Sequence, residues 1–259
     1  MSAAVRFRGI AWAAALFFAF LYVPIVVLLV LAFNDNDQAT IWTGFSTRWF
    51  GVVWRNPDLM RAFRNSLVVA VCATSGATLL ATMAALGMAR SRFWGKDGIN
   101  ALIALPLIVP EIVTAVASLL FFVMLGLRLG LFTVILAHLT FCIPFAYLPI
   151  QARLDGMDPK LEEAAQDLYA DRWQTFRKVT LPLLWPGIVS GAMLAFIISL
   201  DDFVITYFVG GAGSTTLPVY IFGMIRIGIT PEVNAVSALM LVVSILFVAA
   251  SVAVGRLRR

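Results

Sequence analysis

Three carboxylic acids stand inside strongly apolar runs: Glu111 in "LPLIVPEIV", and Asp201 and Asp202 in "ISLDDFVITYFV". At the centre of a membrane span an acid costs about 2.5–3.5 kcal/mol, so one kept there has a task. The chemistry on offer is attraction of a cation. Tyr207, with Phe203, Phe208, Phe121 and Phe122 nearby in sequence, adds ring faces for cation–π contact, although packing is the commoner role of such rings. The structural alternative is an ion pair with Arg64, Arg128 or Arg226, but no Lys or Arg inside the apolar runs is placed to meet Glu111. Neighbouring residues on a helix point about 100° apart, so Asp201 and Asp202 cannot face one spot. One of them lines a path while the other caps or pairs. His138, the sole histidine, has the types around it for a proton relay, but a hydrogen bond between helices is the simpler reading. Cys72 and Cys142 lie in apolar runs without the spacing of a disulfide framework or a metal site. These residues supply no nucleophile–base pair, which excludes the common enzyme chemistries.

The elements that must position these acids are membrane helices. The 259 residues have a mean hydropathy of +0.94 and only 13% charged side chains, where soluble domains carry about 25%. Six runs are long enough to span a bilayer, at about 10–33, 65–89, 99–126, 129–152, 183–208 and 233–255. The first is too long for the apolar part of a signal peptide and reads as a retained helix. Counted from Ile99 at the helical rise, Glu111 falls roughly 18 Å into the third span, with Pro106 and Pro110 opening the helix just before it. Thirteen of the nineteen Lys and Arg residues fall on one side of the six runs. That bias places both termini, and the segment 153–182, in the cytoplasm. The net charge of +5 is therefore a topology signal, and no nucleic-acid partner is expected. The outward segment 209–231, rich in Gly and Pro, reads as turns rather than as a continuous helix.

One stretch departs from this apolar texture: "EEAAQDLYADRWQTFRKVTLPLLWPG", from Glu162 to Gly187. Asp158 followed by Pro159 is a helix start. Leu161, Ala164, Ala165 and Leu168 then form one apolar stripe, with Glu162, Glu163, Gln166 and Asp167 around it. A second short piece carries Trp173, Phe176 and Val179 at spacings of three, and Leu181-Pro182 is expected to end it. An amphipathic helix lying on lipid usually has a basic polar face. This one is acidic and would be repelled by an anionic inner leaflet. It fits a groove on another protein instead.

The same residues resemble the signature loop of ABC importer permeases: Glu-Ala-Ala, three residues, Gly, nine residues, Ile, one residue, Leu-Pro. Glu163, Ala164, Ala165, Val179, Leu181 and Pro182 match, with Val for Ile, and Tyr169 stands at the Gly position. The resemblance implies an all-α membrane protein of six transmembrane helices, with the type I importer permease fold. Its cytoplasmic coupling helices dock on an ATP-hydrolysing subunit through Leu161, Glu163, Ala164, Ala165, Asp167, Leu168, Tyr169, Ala170, Trp173, Phe176, Leu181 and Pro182. Residues 1–259 would form one permease domain, with 10–33 as a peripheral first helix and about 60–255 as the core, including the loop 153–182. Glycine there would give the turn an easy positive φ, so Tyr169 either turns with negative φ or leans on the docking partner. The chain lacks a phosphate-binding G-x-x-x-x-G-K-[ST] loop. ATP and Mg are accordingly expected on partner subunits, with no cofactor bound here.

"PLIVPEIV", "LAHLTFCIPF", "SLDDFVITYFVGG", "TTLPVYIF" and "ITPEVNAVSAL" look like the second permease subunit of spermidine/putrescine-type importers. That implies a bacterial inner-membrane protein, surrounded by lipid. Its partners would be a different second permease, two ATPase subunits and a periplasmic binding protein, and the cargo a polyamine. An opine or amino-acid derivative is the alternative cargo, and an ion-coupled secondary transporter the alternative class. The substrate path would include Glu111, Asp201, Asp202 and Tyr207. Neutralising Glu111 or Asp202 is expected to lower cation transport without loss of assembly.

Overall fold

The computed structural model describes residues 8–90, 93–228 and 230–256, with side chains described over 11–89, 93–228 and 230–246. Arg6, Arg92, Arg258 and Arg259, which enter the charge count, lie outside these residues. The described chain is helical, with one isolated bridge between Asn34 and Phe45. Two compact units are present: residues 1–60 with 221–246, and residues 61–220 with 247–259.

In the first unit, α1 (Arg8–Leu31) is apolar and, from Ala11 to Val27, exposed all round, as a helix facing hydrocarbon or a partner must be. It leads into a loop organised by Asn34, which is fully buried. Its Nδ2 donates to the Ile41 carbonyl at 2.7 Å, and its Oδ1 accepts from Thr43 N at 3.1 Å. Phe33 stacks on Phe45 at 5.4 Å and meets the tilted Phe50 ring at 5.0 Å. Arg48 opens the short α2 (Arg48–Arg55), pairs with Asp35 and Asp37, and lies over the Trp49 ring. The next helix, α3 (Pro57–Arg90), starts eight residues before the expected span. Asn56 explains the early start: its Oδ1 accepts from Asp58 N and Leu59 N at 3.1 and 3.2 Å, and Pro57 suits the first turn.

In the second unit, the third run is not one straight helix. It forms α4 (Lys96–Ile108) and α5 (Glu111–Met124), bent by 109°. Val109 and Pro110 are both extended, with ψ of 132° and 134°. Proline disfavours helical ψ in the residue before it, so the helix stops at Pro110, while Pro106 is tolerated inside α4. The depth counted for Glu111 along a straight helix is thereby overturned. α6 (Leu131–Asp155) follows, then α7 (Lys160–Asp167) and α8 (Arg172–Thr175). Leu181-Pro182 does not end that piece. A π-helical turn at Phe176–Thr180 carries α8 into α9 (Leu181–Asp201), giving one run of 30 residues. The Leu181 N–H reaches back to the Phe176 carbonyl, and Pro182, which has no N–H to place, sits in the first turn of α9. α10 (Val204–Val209) comes after a break at Asp202–Phe203. Among the described residues four helices, or five counting the bent pair, are long and apolar enough to span. The sixth run falls on α12 (Pro231–Arg256), whose residues up to 246 belong to the first unit, where Asn56 Nδ2 donates to Glu232 Oε1 at 3.0 Å.

The segment 209–231 is only partly turns, contrary to expectation, because it contains α11 (Leu217–Ile227). The Leu217 N–H donates to Ser66 Oγ at 2.8 Å, and Pro218 is compatible with a first helical turn. The glycines before it do make turns. Gly213 has φ of 80°, and a Cβ on Gly211 would meet the Leu129 carbonyl oxygen.

α6 and α9 pack closely. A Cβ on Gly187 would lie 2.6 Å from Arg153 Cβ, and one on Gly191 would lie 2.4 Å from the Ala146 oxygen. Ala195, one turn on, puts its carbonyl 3.5 Å from Cys142 Sγ. Small residues at every fourth position let two membrane helices approach at backbone distance. Arg153 Nε adds a bond to the Leu183 carbonyl at 2.9 Å. Gly191→Val should therefore lower the yield of monodisperse, detergent-extracted protein about tenfold or more. Gly98→Val, at a site where a Cβ meets nothing within 4 Å, should leave the yield within about twofold.

Candidate functional site

The two broken helices meet. Glu111, first residue of α5, reaches the Asp202 side chain at the break between α9 and α10. Around them lies a cleft of about 400 Å³ whose lining includes Phe141, Phe145, Asp201 and Phe203. The structure thus brings together the three acids singled out in the sequence.

The two aspartates have different surroundings. Asp202 is buried, at 7% exposure. Its Oδ1 accepts from Ile205 N at 3.2 Å, and its Oδ2 accepts from Thr206 N at 3.0 Å and from Thr206 Oγ1 at 3.1 Å. It caps α10, where the freed N–H groups have no water to turn to. Its side-chain partner is His138, not an arginine: Nε2 of His138 stands 3.0 Å from Asp202 Oδ2 and 2.8 Å from Thr206 Oγ1. A carboxylate beside Nε2 assigns the ring hydrogen to that nitrogen, leaving Nδ1 to accept from Ser199 Oγ at 2.8 Å. Asp201 is exposed and ends α9, where the helix carbonyls add negative potential. Asp202 is the residue that caps and pairs, and Asp201 is left exposed at the cleft.

Tyr207 is half-exposed on α10 and packs on the Phe203 ring at 5.2 Å rather than lining the cleft. Phe121 and Phe122 lie away from the acids, because ten residues of helix separate Glu111 from Phe121, about 15 Å at the helical rise. They line a second cavity of about 560 Å³ between α4, α5 and α6. There the Ser118 and Thr140 hydroxyls donate to carbonyls one turn back, so that cavity offers no charge.

The charged loop has the two expected short helices. Asp158 Oδ1 accepts from Lys160 N at 3.0 Å and starts α7. Asp171, not singled out in the sequence, caps α8 by accepting from Gln174 N at 2.7 Å. Thr180 Oγ1 donates to Glu162 Oε1 at 2.5 Å and ties α7 to the π-turn. Tyr169 has φ of 62°, which excludes the negative-φ turn. Leu161, Glu163, Ala164 and Asp167 are exposed along α7, while Ala165, Ala170, Phe176 and Leu181 are half-buried and Pro182 is exposed. Leu168, Tyr169 and Trp173 are 82%, 98% and 66% exposed. The apolar face of the loop is not used inside the chain.

Comparison with known proteins agrees with this architecture. Residues 77–259 match the family described as binding-protein-dependent transport system inner membrane component. The chain is 37% identical over 239 residues to the spermidine/putrescine transport system permease protein PotC of Escherichia coli K12, covering 92% of this chain and 90% of that one. It is 42% identical over 231 residues to the putrescine transport system permease protein PotI of the same organism, covering 86% and 82%. A bacterial ABC transporter involved in import of the acidic polysaccharide alginate has the same fold, with a TM-score of 0.73 at 17% identity over 96% of this chain and 97% of that one. The MetNI methionine ABC transporter in an inward-facing form gives 0.67 at 21% identity, over 81% and 98%. The family match and the 37–42% identity to permease proteins, with the shared fold, make the class that of ABC importer permeases. This chain belongs to the family of binding-protein-dependent transport system inner membrane components, and it is a transport component rather than an enzyme.

Two outcomes follow from the site geometry. A buried donor left unsatisfied costs about 1–3 kcal/mol, and Asp202 holds several, so Asp202→Ala should lower the melting temperature of the purified permease clearly, and Asp201→Ala should not. Equal losses would contradict the division of roles. A non-glycine residue in the left-handed region costs about 1–2 kcal/mol. Tyr169→Gly should relieve that strain and keep ATP-coupled uptake within about tenfold of the parent. A larger loss would show that the ring itself, and not only the turn, is needed.

Proposed function

We propose that this chain is one of two different permease subunits of an ATP-driven importer that moves a small cationic solute, a polyamine such as putrescine or spermidine, into the cytoplasm by alternating access. The observation that carries the cargo assignment is the acid-lined cleft at the meeting of two broken helices, in a chain 37–42% identical to polyamine permeases. Discontinuous helices are where many transporters place their solute. Glu111 and Asp201 face the path, and Asp202 holds it open in shape. Tyr207 and Phe203 supply ring surface beside it. The fold alone does not choose the cargo, since permeases of this fold also serve alginate and methionine importers. An opine or amino-acid derivative therefore stays as the alternative.

On this reading the chain is one domain of six spans with both termini in the cytoplasm, in a bacterial inner membrane. α7, the turn and α8 are its coupling helices. Two ATPase subunits carry ATP and Mg and grip this loop, and a second permease completes the path. A periplasmic binding protein delivers the solute. The exposed apolar stripe flanked by acids supports the docking role. The uninterrupted run from Arg172 to Asp201 supports the coupling, because a push on the loop reaches the cleft along one helix.

Uptake of labelled putrescine and spermidine tests the proposal, in cells lacking the chain and in cells with it restored beside its partners. Restored uptake, competed by unlabelled polyamine, is expected. Glu111→Gln and Asp201→Asn should each lower it about tenfold or more while the complex still assembles. Unchanged uptake by both variants would remove the acid-lined path.

A further inference from the structure

His138 has three polar contacts and no role in transport so far. The ring is 1% exposed, so it cannot touch a solute. Its position is nevertheless particular. α6 and α9 form one packed body, locked by Gly187, Gly191 and the Arg153–Leu183 bond. That body is continuous with α8 and the charged loop. α10 packs mainly against α5, whose first residue is Glu111, with Ile205 and Val209 in one cluster with Ala115 and Phe122, and its far end is tied to α6 where Thr133 Oγ1 donates to the Val209 carbonyl at 2.9 Å. His138 stands where the two pairs meet. It faces Ser199 on α9 through Nδ1, and Asp202 and Thr206 at the start of α10 through Nε2.

A helix break between two such bodies is a hinge unless something fixes its angle. Asp202 alone fixes only α10, by capping it. Thr133 holds only the far end of α10 to α6, and the imidazole adds the link at the break itself, to α6 and α9. We propose that His138 is a positioning residue for transport: by holding Asp202 and Thr206 against α6 and α9 it sets where Asp201 and Glu111 stand in the cleft. This rests on the reading of the cleft as the solute path. It goes beyond that reading by assigning the cleft's geometry to a residue that does not line it.

The test has two arms, so that failure of the path and failure of the histidine can be told apart. The first is independent of solute. In the assembled complex with Cys72→Ala (Cys142 is buried), Asp201→Cys is labelled with a methanethiosulfonate reagent. Adding His138→Ala should change the labelling rate about fivefold or more, and His138→Gln, which keeps one donor and one acceptor, should stay within about twofold. Unchanged labelling in both overturns the proposal. If His138→Ala does not assemble, Ser199→Ala decides: it loosens the ring but leaves every bond between Asp202 and α10. A shift of about threefold is expected there, and none overturns the proposal.

The second arm measures uptake with native Asp201. His138→Ala should raise KM about tenfold with kcat changed less than about threefold, and His138→Gln should recover KM. A fall in kcat that only tracks the amount of complex, with KM constant, marks a purely structural histidine and overturns the proposal. Shifted labelling with unchanged uptake in Asp201→Asn sinks the acid-lined path itself. Unchanged labelling beside normal polyamine uptake sinks the role of His138 alone.

Discussion

A helix that breaks inside hydrocarbon must find partners for the backbone groups it frees, and no water is there to supply them. The site in this chain follows from that constraint. The break after Asp201 frees the first N–H groups of α10, and Asp202 takes two of them. A charged cap in a dry place needs a counterpart in turn, which is His138. The imidazole has a second nitrogen to satisfy, and Ser199 meets it. Each polar group is there because the previous one required it, and together they bind three helices. Glu111 joins this knot from the other break, where Pro110 and the extended Val109 turn the chain.

The close approach of α6 and α9 turns that local knot into a mechanical arrangement. Two helices joined by side chains of ordinary size slide past one another more readily than two in backbone contact at Gly187 and Gly191. Here α9 continues without a stop through the π-turn to α8. Thirty residues at the helical rise make a rod of about 45 Å, with the exposed loop at one end and Asp201 at the other. On the proposed reading the π-turn is what permits this. Pro182 would otherwise break the rod where the docking segment ends, and a wider turn absorbs the missing N–H.

Much of this was legible in the sequence, for identifiable reasons. Apolar length gave the membrane class and placed the helices, since twenty apolar residues have few alternatives in water. Adjacent acids at 201 and 202 implied divided roles, because helical geometry forbids a shared direction. Three things were not legible in the same way. An opening at Pro106 and Pro110 was readable, but not its size of 109°, because the two prolines look alike in sequence and only the second stops its helix. The pairing of His138 with Asp202 joins residues far apart in the chain, and no periodicity encodes such a contact. The early start of α3 had a readable signal, Asn56-Pro57-Asp58, masked by the charged residues after it. The small-residue stripe Gly187, Gly191 and Ala195 was also readable at a spacing of four, inside a segment otherwise noted for its prolines.

The same asymmetry bears on how tightly such a cleft holds its cargo. A carrier must let go of what it moves, so a path needs enough attraction to admit a cation and too little to trap it. If all three acids faced the cleft free of partners, a multivalent cation would meet three unpaired charges in a low dielectric, where each is far stronger than in water. The structure avoids this. Asp202 is engaged by two N–H groups, a hydroxyl and an imidazole, and Glu111 leans on Asp202, which leaves Asp201, exposed at a helix end, as the least engaged charge. On the proposed reading the site is thereby tuned for passage, and strong selection falls to the binding protein that presents the solute. The histidine that occupies Asp202 serves both ends. It satisfies a buried carboxylate, and on the proposed reading it keeps that charge from the cargo.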